Sequence, residues 1–212
     1  MKLLSIQVGR PRDVEWQGKS VSTGIFKQAV PGPVMVRRLN IEGDGQADLT
    51  VHGGVDKAVY GYSRDAYPWW DARLKQRLTH GAFGENLTIE KLDEKDLCIG
   101  DTIALGECEL QVSEPRFPCF KLGLKFNDVG VLKTFIESGR PGIYFRVVRE
   151  GKIEAGQTLK ILDRDPRRIS VDTFFLLKIG KLKSREALEK LLSMDNLGAE
   201  WREKFSGFLK KY

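Results

Sequence analysis

Thr102-Ile103-Ala104-Leu105-Gly106-Glu107-Cys108-Glu109-Leu110-Gln111-Val112-Ser113 holds two short β-rich runs, residues 102–105 and 109–113, with a glycine between them. Short runs punctuated by Gly or Pro are what a sandwich or a closed barrel requires. The pattern continues in both directions. Residues 3–8 alternate apolar and polar, as a half-buried strand does. Residues 34–36, 58–62, 87–89, 143–148 and 158–162 are further strand candidates. Glu15-Trp16-Gln17-Gly18-Lys19 reads as a hairpin tip. Arg149-Glu150-Gly151-Lys152 joins two strand runs, with its glycine placed where a turn needs positive φ.

Two helical inserts interrupt the strands. Ser63 is placed to cap a helix reaching residue 78, with Tyr67, Trp70, Leu74 and Leu78 on one face. Val131, Leu132, Phe135 and Ile136 form a second stripe, ended by Gly139 and Pro141. Both are expected to lie on the barrel. The polar run Asp163-Arg164-Asp165-Pro166-Arg167-Arg168 then marks a boundary. Residues 1–165 are read as a β-barrel domain and residues 166–212 as a small three-helix domain. Phe174 and Phe175 belong to its first helix. Ser184 caps the second, and Trp201, Phe205 and Phe208 stripe the third. So short a segment must dock on the barrel or on another subunit, which leaves a homodimer open.

Among the 212 residues, 41% are hydrophobic and 30% charged, which excludes wholesale disorder. No apolar run approaches the roughly 20 residues of a membrane helix, and Met1-Lys2-Leu3-Leu4 begins no signal-peptide core. The three cysteines, Cys98, Cys108 and Cys119, make no disulfide framework and point to a reducing cytoplasm. The net charge of +6 is uneven: residues 166–212 carry eleven Lys/Arg against six Asp/Glu. That tail suits a solvated helical face or a dock for an acidic partner. With no aromatic-interleaved basic stripe, nucleic acid is not the expected partner.

Chemistry concentrates in Ser113-Glu114-Pro115-Arg116-Phe117-Pro118-Cys119-Phe120-Lys121-Leu122. A lone cysteine is commonly inert core. Here Arg116 and Lys121 flank it, and nearby cations favour the thiolate, which is both a nucleophile and a soft metal ligand. Cys98 and Cys108 lack such company and read as structural. His52-Gly53-Gly54-Val55-Asp56-Lys57 is a loop whose glycines allow close backbone approach. Its single histidine does not make a zinc site. Asn86, in Gly84-Glu85-Asn86-Leu87, could present polar groups to a heterocycle or tie its own turn. Lys27, after Thr23-Gly24, could meet a phosphate.

In this order, these stretches resemble the MOSC domain family (molybdenum cofactor sulfurase C-terminal domain) and its YiiM-like branch. They include Thr23-Gly24-Ile25-Phe26-Lys27, Glu42-Gly43-Asp44, His52-Gly53-Gly54 with Asp56-Lys57-Ala58, and Gly84-Glu85-Asn86-Leu87. Gly32-Pro33-Val34, Gly100-Asp101, Pro115-Arg116 with Pro118-Cys119, and Gly142 with Tyr144 and Arg146 complete the set. Gln157 departs from the family's usual Gly-Asp at the end of a hairpin. The resemblance implies a MOSC-type β-barrel with helical inserts, followed by the three-helix tail. It further implies a bound molybdenum cofactor (molybdopterin) with Cys119 as protein ligand to the metal. Lys27, Arg116, His52, Gly53, Lys57 and Asn86 are then the candidate cofactor contacts. The activity implied is reduction of a small N-hydroxylated substrate such as an N-hydroxylaminopurine, with electrons from a separate redox protein. The alternative is a non-catalytic cofactor carrier or a sulfur-handling module.

Overall fold

The computed structural model describes residues 1–47 and 53–212. The strands are β1 (Lys2–Val8), β2 (Arg12–Trp16), β3 (Lys19–Thr23), β4 (Gln28–Ala29), β5 (Val34–Val36), β6 (Val59–Ser63), β7 (Leu87–Glu90), β8 (Thr102–Leu105), β9 (Cys108–Pro115), β10 (Ile143–Arg149), β11 (Gly151–Ile153) and β12 (Lys160–Asp163). The helices are α1 (Tyr67–Leu74), α2 (Phe120–Phe126), α3 (Gly130–Ser138), α4 (Val171–Lys178), α5 (Arg185–Leu192) and α6 (Ala199–Leu209).

Eight strands form one mixed sheet in the order β12-β8-β9-β10-β6-β7-β1-β4. Among the described residues only β6 and β7 run parallel, and α1 makes the crossover between them. The sheet curls until its ends meet. Leu3 N–H donates to Gln157 O at 2.9 Å, and Leu159 N–H donates to Met1 O at 3.0 Å. Gln157 therefore does more than end a turn: its carbonyl joins the two ends of the sheet. Among the described residues, no helix is long and apolar enough to cross a membrane.

Several expectations need correction. Ser63 does not cap a helix; it is the buried, extended last residue of β6, and a 3-10 turn at Arg64–Ala66 precedes α1. α1 then stops at Lys75, in the left-handed region at φ 52°, so Leu78 lies beyond it. Residues 149–152 are not a hairpin turn. The chain leaves β10 and β11 pairs with β5 instead. Gly151 is needed for space rather than for positive φ: a Cβ there would stand 2.5 Å from the Glu107 carbonyl carbon. The hairpin of β2 and β3 is as expected, with Gln17 and Gly18 both at positive φ. The helical content exceeds two inserts and a tail, because α2 follows Cys119 directly.

The core has two parts. Inside the sheet, Leu3, Ile6, Leu87, Ile103, Leu110 and Phe145 are fully buried. The same apolar cluster continues into Phe174, Leu188, Leu191, Trp201 and Phe205 of α4 to α6. Ser170 and Ser184 cap α4 and α5, each accepting from the backbone N–H three residues on. The tail helices thus share the barrel's core. The polar stretch before them is strapped down as well: Ile99 N–H donates to Ile169 O, and Arg164 pairs with Asp101 at 3.0 Å. The second part is aromatic. Tyr60, Tyr62, Tyr67, Trp70, Phe83 and Phe135 pack between the sheet, α1 and α3, and Trp70 Nε1 donates to Tyr62 Oη at 2.7 Å.

Candidate functional site

The register of β9 against β10 slips between Tyr144 and Phe145, so Ser113 is an extra residue in β9. Such a bulge bends a strand and re-aims the side chains beyond it. The burial pattern shows it: β9 alternates up to Gln111, then Val112 through Arg116 are all buried. The bulged end delivers Arg116 into the protein and Cys119 to the lip of a cavity of about 100 Å³. Thr23, Lys27, Tyr60, Arg116, Cys119 and Tyr144 line it, with Gly24, Gly45 and Gly84 supplying bare backbone. A Cβ on Gly24 would come within 2.5 Å of Gly45 O, so these loops meet only because the position is glycine.

Arg116 is fully enclosed. Its Nη1 donates to Phe83 O at 2.7 Å, and its guanidinium lies 4.9 Å from the Tyr60 ring centre and 5.4 Å from that of Phe135. Burial works against its charge, but Tyr60, Tyr144 and Cys119 pull the other way and its pKa ends above the ordinary arginine value. It is therefore a fixed positive charge facing the Cys119 sulfur. Burial pushes the Tyr144 phenol up to about 12 and Tyr60 higher still, so both keep their protons.

Lys27 also reaches the cavity, but it has a partner: its ammonium forms an ion pair with the buried Asp44 carboxylate. Burial pulls the Lys27 pKa down and Asp44 opposes that pull. Asn86 belongs to the wall behind. Its Nδ2 donates to Asp44 Oδ2 at 2.8 Å, and its Oδ1 accepts from Tyr60 N–H at 3.1 Å. Asn86 therefore sets the positions of two neighbouring residues without lining the cavity itself. Lys57 lies 3.6 Å from Glu114, two residues before Arg116. Gly53 is half-buried and absent from the lining. His52 falls outside the described residues.

Sequence reasoning missed Glu85 and Lys125. Glu85, fully buried, accepts from Gly81 N–H, Phe83 N–H, Thr88 Oγ1 and the Tyr67 hydroxyl, and so builds the 81–84 loop. Lys125 extends from α2 to the carbonyls of Ile25 and Gly81. Burial lowers its pKa to about 8, against the pull of Glu85 and helped by Arg116 and Lys27. The spacing of Leu122 and Phe126, one helical turn apart, was the signal for α2. Cys98 and Cys108 are buried, and burial raises both thiols, Cys108 to about 12.

Residues 48–160 match the MOSC domain family. The Bacillus subtilis (strain 168) protein YflK is 42% identical over 209 residues, covering 99% of this chain and 93% of its own. A protein named reductase, from Gibberella moniliformis (strain M3125 / FGSC 7600), is 38% identical over 173 residues. That match covers 80% of this chain but only 30% of the reductase. The crystal structure of YiiM from Geobacillus stearothermophilus superposes with a TM-score of 0.82 at 34% identity, covering 98% of each chain. The ordered motifs, the curled mixed sheet and these matches agree: the chain belongs to the MOSC domain family, in its YiiM-like branch.

Proposed function

We propose that the chain is a molybdenum-cofactor-dependent reductase of N-hydroxylated compounds, with Cys119 as the protein's ligand to the metal. The observation that carries this reading is the meeting of Cys119, Arg116 and Lys27 at one cavity. The donor set fits the group. Among the described residues, no three His, Cys, Asp or Glu are arranged to hold a metal ion. Cys119 would be a protein ligand to a metal that already carries sulfur ligands, as this cofactor's does. A thiolate suits such a soft centre.

When bound, the cofactor supplies the two electrons that, with two protons, turn N–OH into N–H and water. The chain's residues do the remainder. Arg116 sets a fixed positive charge beside the Cys119 sulfur, which favours a thiolate ligand. Asp44 and Asn86 hold Lys27 at the wall, where its ammonium can meet an anionic group of the cofactor. The Tyr144 hydroxyl remains protonated beside the cavity and can orient a polar substrate, whereas the Tyr60 hydroxyl donates to Pro141 O at 2.8 Å and fixes that wall. Electrons come from a separate redox protein.

Protein made in a cofactor-competent host should carry molybdenum and pterin in equal amounts and reduce 6-N-hydroxylaminopurine with an artificial donor. Cys119→Ser should lose both metal and turnover. Retention of cofactor without any turnover by the parent protein would favour the carrier reading instead.

A further inference from the structure

A groove of about 770 Å³ lies on the other side of Lys27, between the end of β1, the 26–30 loop, the 76–82 loop and the end of α2. Arg10, Arg12, Lys27, Arg77, His80 and Lys125 all line it, and among the described residues no Asp or Glu does. A neighbouring hollow sharing Arg77 and His80 adds Arg64, again with no carboxylate among the described residues.

Of the groove's cations only Lys27 has a carboxylate partner among the described residues, Asp44. Arg37, Arg146, Arg164 and Arg185 each have a carboxylate partner. Among the described residues, Arg10, Arg12, Arg77 and Lys125 have none. Arg12 lies instead 4.4 Å from the centre of the Phe26 ring, which fixes its direction, and Lys125 is held by two carbonyls. Like charges gathered around one concavity repel, and a multiply charged anion relieves that. Guanidinium forks match phosphate oxygens. The volume falls in the range of roughly 300–1,000 Å³ typical of small-molecule sites and far exceeds one phosphate. Gln28, Gln76 and Thr79 in the same wall offer partners for a sugar.

We propose that this groove binds the phosphate chain of a nucleotide, so that the substrate presented at the Cys119 cavity is an N-hydroxylated nucleotide rather than a free base. Lys27, which lines both spaces, is the junction. The substrate half rests on the reductase reading above; the binding half does not.

The test uses calorimetry on the full chain with ATP, pyrophosphate and adenosine as probes. ATP and pyrophosphate should each bind at least tenfold more tightly than adenosine. The Arg10→Ala/Arg77→Ala double variant should lose at least tenfold in ATP affinity. Lys133→Ala/Arg185→Ala, which removes the same charge from exposed helix faces, should lose none. ATP binding no tighter than adenosine, or equal loss in both double variants, overturns the proposal. ATP affinity should survive loading with the cofactor. Its disappearance on loading would give the groove to the cofactor's own phosphate and overturn the proposal as well. With loaded protein, the 5′-triphosphate of 6-N-hydroxylaminopurine riboside should show a KM at least tenfold below that of the free base. That gap should close in the groove variant. Equal KM values with ATP binding intact would overturn the substrate half alone. Turnover of neither compound would sink the reductase reading while leaving the binding result standing.

Discussion

Trp201 Nε1, on α6, donates a 2.6 Å hydrogen bond to Glu114 Oε2, at the end of β9 and two residues before Arg116. The tail helices are thus bonded to the very strand end that shapes the cavity. Phe117, which also lines the cavity, stacks 5.3 Å from Phe175 of α4 and lies 5.3 Å from Trp201.

Burial raises Glu114 to about 7, although Lys57 and Trp201 pull it down. Its folded value exceeds the unfolded one, so the stability tied to its protonated form is full below about 4.5 and is lost as pH rises through about 7. Glu114→Gln stays neutral throughout. Its stability relative to the parent should improve between pH 4.5 and 7, by about 3 kcal/mol at most, and then level off. Urea titrations at several pH values check this; a pH-independent difference would contradict it.

Removing residues 165–212 should not leave a folded barrel that is merely less soluble. Phe174, Leu188, Trp201 and Phe205 belong to the barrel's own apolar cluster. The truncated chain should lose its cooperative unfolding transition, read by circular dichroism during heating.

Lys27→Ala removes the partner of Asp44, whose side chain is 3% exposed. Breaking a buried pair costs on the order of 3–5 kcal/mol. The Lys27→Ala/Asp44→Ala double variant should be less destabilised than the two singles added together, by about 1 kcal/mol or more. Denaturant curves for the four proteins decide it. Cofactor loss in Lys27→Ala alone therefore cannot be read as a lost contact.

Cys119 should be the cysteine that iodoacetamide reaches in the native protein at pH 8, because Cys98 and Cys108 are buried and their thiols are raised. Mass spectrometry should find those two labelled only after denaturation.

Gly151→Ala would push a methyl against the Glu107 backbone at 2.5 Å. We expect about 1–3 kcal/mol of destabilisation from such overpacking, measured as a lower midpoint in guanidinium.

Local chemistry was legible where one segment decides its own structure. β5 and β8, the Gln17-Gly18 hairpin and the Ser184 cap come from alternation, turn residues and capping oxygens within a few positions. Cys119, Arg116 and Lys27 stood out by residue type, and they line one cavity. Structure that distant segments decide together was not legible. The partner of β11 is β5, more than a hundred residues away, and the Gly151 requirement comes from Glu107. Asp44 claims Lys27 from seventeen residues on, and Glu85 serves a loop rather than a ligand. Nothing beside Lys125 in the sequence marks it as buried, because its burial depends on where α2 lies against the 25 and 81 carbonyls.

The junction of residues 1–3 with 156–159 also governs when the molecule can form. During synthesis, β1 emerges early and its distal partner is made about 150 residues later. At roughly 5–20 residues per second the wait is about 8–30 s. Until then β1 can pair with β7 but the cylinder has an open seam, an edge able to recruit other chains. Sealing that seam is a late, long-range event, so the barrel should fold slowly for its size.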